Sequence, residues 1–173
     1  MLRLYVSIFK ISTAEKHTLK CFLKQFIQQH MSQKISNRLL EIVNALPIKN
    51  GMRVLEIGCG TGVAARAIAN RFSEIFVLAL DRSEKAIQQA KKNSLTEIKN
   101  KKLDFIQSKI EEFELDKNEE LFDIVFAVRV GALDGRHPEV EREALRRIKN
   151  VLKPNGKLYI DTGNPLKEIK LKN

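Results

Sequence analysis

The stretch VLEIGCGTG, residues 54–62, places three of the chain's eight glycines on alternate positions directly behind a run of aliphatic side chains. Glycine inside a strand or helix costs stability, so this spacing marks a backbone that turns sharply or is approached closely. Gly58 suits a tight strand-to-helix turn, Gly60 a bare backbone under a ligand, and Gly62 a closely packed helix start. The N–H groups at such a helix start can hold a carboxylate or a phosphate. Asp81 follows about twenty residues later, at the spacing of an acid that accepts hydrogen bonds from ribose hydroxyls. That pairing is the chemistry of an adenosine-type cofactor. Glu56, just before the glycines, narrows it: a carboxylate there repels a pyrophosphate and suits a ligand carrying an ammonium and a sulfonium.

These residues need a scaffold, and the sequence alternates in the way that supplies one. Apolar side chains recur at helical spacing in residues 14–29 and again in residues 33–46, where Pro47 and Asn50-Gly51 stop the pattern. Strand-like MRVLEI (52–57), IFVLAL (75–80), LDFIQ (103–107), LFDIVFAV (121–128) and KLYI (157–160) then alternate with helix-like GVAARAIANRF (62–72) and EKAIQQAKKN (84–93). A last helix is expected from about Pro138 to Leu152. The strands are aliphatic on both faces, the mark of a parallel sheet covered on both sides. The predicted fold class is therefore α/β, a doubly wound sheet of about five parallel strands with helices on both faces.

Bulk properties agree with one soluble domain. A length of 173 residues leaves room for a full core, and 43% hydrophobic with 30% charged residues is ordinary for a globular protein. Cys21 and Cys59 form neither a disulfide framework nor a CxxC metal pair, and no metal site is expected. No apolar run approaches the roughly 20 residues that span a bilayer. The opening MLRLYVSIFK is broken by Lys10 and lacks a small-residue cleavage site, so the reading is cytoplasmic with no membrane partner. The net charge of +10 is concentrated at the ends. Arg3, Lys10, Lys16, Lys20 and Lys24 face only Glu15 in residues 1–30, while acids and bases are interspersed in the body. No basic stripe interleaved with aromatics appears there, so nucleic acid is not the favoured partner. Residues 1–30 read as a basic, partly helical extension and residues 31–173 as the cofactor-binding domain.

VLEIGCGTG, Asp81 in LALDRS, and LRRIKNVLKPNGKLYI at 145–160 together resemble the class I S-adenosylmethionine-dependent methyltransferase family across roughly residues 33–162. The resemblance implies a Rossmann-like sheet, S-adenosyl-L-methionine as cofactor, and methyl transfer to a small-molecule acceptor. By position, Glu56, Gly58, Gly60, Thr61 and Gly62 would line the methionyl end, and Asp81 the ribose. Arg82 would lie beside the adenine, whose edge the backbone at Lys109 or Ile110 could bond. The family often has an acid where this chain has Lys109. Ala127 and Arg129 would face the methyl group and the acceptor. A sulfonium methyl is already activated, so alignment in a dry site supplies most of the rate, and a base is needed only if the acceptor must lose a proton.

Within RVGALDGRHPE (129–139), Asp134 and His137 are the candidate bases, and Arg129 and Arg136 candidate binders of an anionic acceptor. Each also has a plainer reading: Asp134-Gly135 is a turn signal, His137 before Pro138 a helix entry, and Cys59 a small filler. An RNA or protein methyltransferase, a non-catalytic cofactor-binding subunit, and a nucleotide-dependent oxidoreductase on the same βαβ unit remain the alternatives. Family members usually continue past the fifth strand into antiparallel strands. DTGNPLKEIKLKN reads as too short for that, which leaves strand 157–162 as an edge to be covered by residues 2–9, by the lysine-rich tail, or by a homodimer through the sheet edge.

Overall fold

A computed structural model of the chain describes residues 35–171. The extension assigned to residues 1–30, with its predicted helix and strand, lies outside the described residues.

The elements run α1 (Asn37–Ala45), β1 (Met52–Ile57), α2 (Val63–Arg71), β2 (Ile75–Asp81), α3 (Glu84–Asn93), α4 (Leu95–Lys99), β3 (Leu103–Gln107), β4 (Phe122–Ala127), α5 (Pro138–Val151), β5 (Leu152–Ile160) and β6 (Lys167–Ile169). Short 3-10 turns at Ile110–Glu112 and Gly131–Leu133 follow β3 and β4. The helices begin where local chemistry satisfies their first N–H groups: Ser36 caps Leu39 N–H and Ser83 caps Ala86 N–H. Pro138, which has no N–H to lose, opens α5.

The six strands lie in the order β3-β2-β1-β4-β5-β6. The first five are parallel, with β1 paired to β2 on one side and β4 on the other. The chain therefore reverses its winding direction between β1 and β4, which opens a crevice at the carboxyl ends of these strands. Successive strand residues face opposite sides and build two separate cores. Val54, Val77, Phe105, Ile124 and Phe126 pack under α1, α2 and α3. Leu55, Leu78, Leu80, Val125 and Leu158 pack under α5 and the two 3-10 turns. Ala64, Ala65 and Ala69 are fully buried and let α2 sit close to the sheet. Among the described residues no helix is long and apolar enough to cross a membrane.

The expectation of an uncovered fifth strand does not hold. Leu158, Tyr159 and Ile160 pair antiparallel with Ile169, Glu168 and Lys167. The tail turns back within residues 161–166 and contributes a sixth strand of only three residues. Lys157 of β5 pairs with Glu168 of the tail at 2.9 Å across this hairpin, so backbone pairing and this ion pair hold the cover. β5 also starts earlier than expected: Leu152 already pairs with Phe122, and a bulge absorbs Pro154-Asn155-Gly156 before Lys157 meets Ile124. Helix α4 had no forecast.

Candidate active site

The glycine loop leaves β1 and enters α2 through three residues of positive φ: Gly58 (74°), Gly60 (54°) and Gly62 (76°). The reasons differ. A Cβ on Gly62 would lie 2.7 Å from the Phe105 ring and 3.1 Å from Ala90, so this glycine lets the helix start pack on β3 and α3. A Cβ on Gly58 would lie 2.7 Å from Val130, on the loop after β4. A Cβ on Gly60 would meet nothing within 4 Å, so the bare backbone there faces open space at the crevice.

The loop's own donors are already engaged. Gly58 and Cys59 N–H donate to the Leu80 carbonyl at 2.8 and 2.9 Å, and Gly62 N–H to the Cys59 carbonyl at 2.9 Å. Gly60 N–H donates to Asp81 Oδ2 at 2.8 Å, while Ser83 N–H donates to Oδ1 at 2.8 Å. Asp81 thus ties the end of β2 to the loop and keeps further lone pairs for a ligand. The start of α2, expected to be open to an anion, already receives one: the Glu56 carboxylate accepts a hydrogen bond from Ala65 N–H. Glu56 is 4% exposed, and its Oε2 has no partner among the described residues. Burial raises its pKa from 4.5 to about 8; the Ala65 bond opposes that, and the nearby Asp81 charge adds to it.

This arrangement disfavours a pyrophosphate and fits a cation. A carboxylate fills the helix N-terminus, one of its oxygens is unmatched, and the backbone at Gly60 leaves room beside it. S-adenosyl-L-methionine, with its ammonium and sulfonium, is compatible with that donor set. Arg82 is exposed, with its carbonyl accepting from Gln107 at 3.4 Å. Lys109 is exposed, and its ammonium pairs with Glu112 at 2.6 Å. The Ile110 side chain is buried in the second core, so only its backbone is available to a ligand. Thr61 sits in the loop between Gly60 and Gly62.

Beyond the loop a cavity of about 150 Å³ opens between the ends of β4 and β5. Ala127, Val130, Leu133 and Ile160 give it apolar walls; Arg129, Asp134, Arg136 and Asp161 give it charge. Asp134 reaches this cavity, but both its oxygens are taken by Arg136: the backbone N–H at 3.1 Å, Nε at 2.7 Å and a terminal nitrogen at 2.5 Å. Those bonds hold the Asp134 carboxyl below its usual range, which makes it a poor proton acceptor. His137 does not line the cavity; it is exposed at the N-cap of α5. Arg129 is exposed at the rim in a left-handed conformation, φ 56°, which costs a non-glycine residue roughly 1–2 kcal/mol. Its N–H donates to Asp161 Oδ1 at 3.1 Å, and Arg38 holds Oδ2 at 3.1 Å. Neither Asp161 nor Arg38 was anticipated. The only signal was an acid immediately past the strand in YIDTG, and nothing in the sequence joins it to a residue more than a hundred positions earlier. Among the described residues no group of three or more His, Cys, Asp or Glu is placed to hold a metal.

Residues 48–173 match the methyltransferase domain family. The chain is 27% identical over 157 residues to a malonyl-[acyl-carrier protein] O-methyltransferase of Halalkalibacterium halodurans, covering 88% of this chain and 55% of that protein. It is 30% identical over 124 residues to a sterol 24-C-methyltransferase of Aspergillus fumigatus, covering 72% and 31%. The chain therefore spans about half, or less, of the length of these relatives. Its fold is similar to that of an S-adenosylmethionine-dependent methyltransferase from Thiobacillus denitrificans in complex with S-adenosyl-L-homocysteine, with a TM-score of 0.58, 21% identity, and 78% and 53% of the two chains covered. The Glu56 site and a family match over most of the chain lead to one conclusion: the protein belongs to the class I S-adenosylmethionine-dependent methyltransferase family.

Proposed function

We propose that the chain binds S-adenosyl-L-methionine at the carboxyl ends of β1 and β2 and methylates a small, anionic acceptor seated in the cavity between β4 and β5. The observation that carries the cofactor half is Glu56: a buried carboxyl with an unmatched oxygen, just ahead of a glycine loop that is open at Gly60, suited to an ammonium and hostile to a phosphate. When bound, the sulfonium supplies a methyl group already activated for in-line displacement. The protein's work is then to bind, orient and exclude water. Glu56 and residues 58–62 hold the methionyl end, Asp81 the ribose, and Arg82 with the backbone of Lys109 and Ile110 the adenine. Ala127 and Arg129 form the wall toward the methyl group.

The cavity's charges support the acceptor half. Arg136 is neutralised by Asp134. Asp161 takes its bonds from Arg38 and from the Arg129 backbone, so among the described residues that line the cavity the Arg129 guanidinium is the cation left to meet an anion. With Asp134 held by Arg136 and His137 outside the cavity, no strong base faces the acceptor among the described residues. The acceptor atom is accordingly one that arrives deprotonated, such as a carboxylate oxygen. The Halalkalibacterium relative, named for O-methylation of a malonyl group, is consistent with that class. The test is a calorimetric titration with S-adenosylmethionine, S-adenosylhomocysteine and NAD, followed by a methyl-transfer screen in which each candidate acid is offered beside its amide. Tight NAD binding overturns the cofactor assignment. Turnover of amides or nucleic acids in preference to acids overturns the acceptor.

A further inference from the structure

We propose that Asp161 is a positioning residue for the acceptor: it brackets the gap between β4 and β5 and holds Arg129 where its side chain meets the acceptor's negative charge. The inference rests on the functional reading above and assigns a role to a residue that reading leaves out.

Past its bulge the β4–β5 ladder runs from Ile124↔Lys157 to Ala127↔Ile160 and ends there. Past that point Arg129 and Val130 line one side of the cavity, and Asp161 and Thr162 the other. A continuing ladder would satisfy the Arg129 N–H with a β5 carbonyl. Here the Asp161 carboxylate takes it instead, at 3.1 Å, across the opening. That bond belongs to a residue at φ 56°, a conformation an arginine leaves readily unless its neighbours hold it. Asp161 is itself fixed from the far side. The same Arg38 guanidinium nitrogen lies 3.1 Å from Oδ2 and 3.5 Å from the Asp161 carbonyl. The Asp161 side chain is 11% exposed against 59% for Arg38, so the carboxylate is turned inward and the arginine closes over it. Both oxygens are engaged by protein donors, so the group is placed as a bracket and not as a proton acceptor. Its bonds fix the width of the cavity mouth and the origin of the Arg129 side chain.

A role limited to tethering α1, or to local charge, makes different predictions. Wild-type protein, Asp161→Ala and Asp161→Asn are first titrated with S-adenosylhomocysteine, then, at saturation, with propionate while the Arg129 amide signal is followed by NMR. The expected result is S-adenosylhomocysteine affinity within twofold in all three. Propionate should weaken by about tenfold in Asp161→Ala, because Arg129 is released and its charged contact to the ligand carboxylate is lost. Asp161→Asn, whose side-chain oxygen still accepts from Arg129, should bind propionate at least as well as wild type. Tighter propionate binding in both variants would mean that Asp161 acts only as a repelling charge, and would overturn the proposal. So would a joint loss of both ligands in Asp161→Ala, equal propionate affinity in all three proteins, or wild type that binds S-adenosylhomocysteine and not propionate. Wild type that fails to bind S-adenosylhomocysteine would bring down the functional reading itself, and this inference with it.

Discussion

Glu56→Gln keeps the size of the side chain and its hydrogen-bonding reach, and removes only its capacity to ionise. In the folded protein burial raises the Glu56 pKa from 4.5 to about 8. At about 1.4 kcal/mol per pH unit, holding this group ionised costs the fold on the order of 5 kcal/mol relative to the unfolded chain. The sign follows from proton counting. Between pH 4.5 and 8 the folded state keeps a proton that the unfolded state has lost, so unfolding releases it. The Glu56 contribution is full below pH 4.5, falls as the pH rises, and is gone above pH 8. Urea unfolding of wild type and variant at pH 5, 6, 7, 8 and 9 isolates it, because every other titrating group is common to both. The stability difference should fall by about 1.4 kcal/mol per pH unit from pH 5 to 8 and then level. Ligand binding provides the functional counterpart. At pH 7 a cationic cofactor should expel that proton, and calorimetry in two buffers of different ionisation enthalpy should find close to one more proton released by wild type than by the variant. Parallel unfolding curves, or equal proton release, would refute both the buried-acid argument and the assignment of Glu56 to a cation.

The loop and the cavity give further expectations. Gly62→Ala should lower stability by about 2–4 kcal/mol, measured by urea unfolding, since it combines a left-handed backbone with a Cβ 2.7 Å from the Phe105 ring. Asp81→Ala removes the acceptor of the Gly60 and Ser83 N–H bonds and should cost the fold about 2 kcal/mol. Its S-adenosylhomocysteine affinity by calorimetry should drop more than tenfold; unchanged affinity would remove Asp81 from the cofactor site. Arg129→Gln should raise the acceptor KM in the methyl-transfer assay by about tenfold, the loss of one charged contact, whereas Arg136→Gln should change it far less. The reverse order would show that Asp134 does not neutralise Arg136 in solution.

The strands were legible because burial on both faces writes itself into a sequence as unbroken aliphatic runs. IFVLAL and LFDIVFAV became β2 and β4 within a residue or two. The three-residue β6 was not legible: KEI carries no pattern, and it exists because β5 presents an edge that only the folded sheet creates. The candidate site divides the same way. Glu56, the glycines and Asp81 are local to one βαβ unit, and their spacing alone brings them together. Which glycine answers to which neighbour was not local, since Gly58 faces Val130 and Gly62 faces Phe105, both from distant strands. Asp161 escaped notice for that reason, its partners Arg38 and Arg129 being joined to it only by α1 and the β4–β5 gap.

Glycine spacing in a βαβ turn does not by itself decide what the turn binds, because the same backbone path can present donors to a phosphate or spend them internally. Here Gly58, Cys59, Gly60 and Gly62 N–H all donate within the protein, and the first turn of α2 meets Glu56. A dinucleotide's pyrophosphate would compete with those bonds and with two carboxylates for the same space. Burial raises the Cys59 thiol pKa, and the Glu56 and Asp81 charges, when both are ionised, raise it further. On the proposed assignment a cation entering here must expel the Glu56 proton, which costs about 1.4 kcal/mol per pH unit below that pKa, so its binding should tighten as the pH rises toward 8. On the proposed cofactor assignment the specificity of the loop is electrostatic and resides in Glu56 and Asp81, while the glycines set the path that lets a ligand reach them.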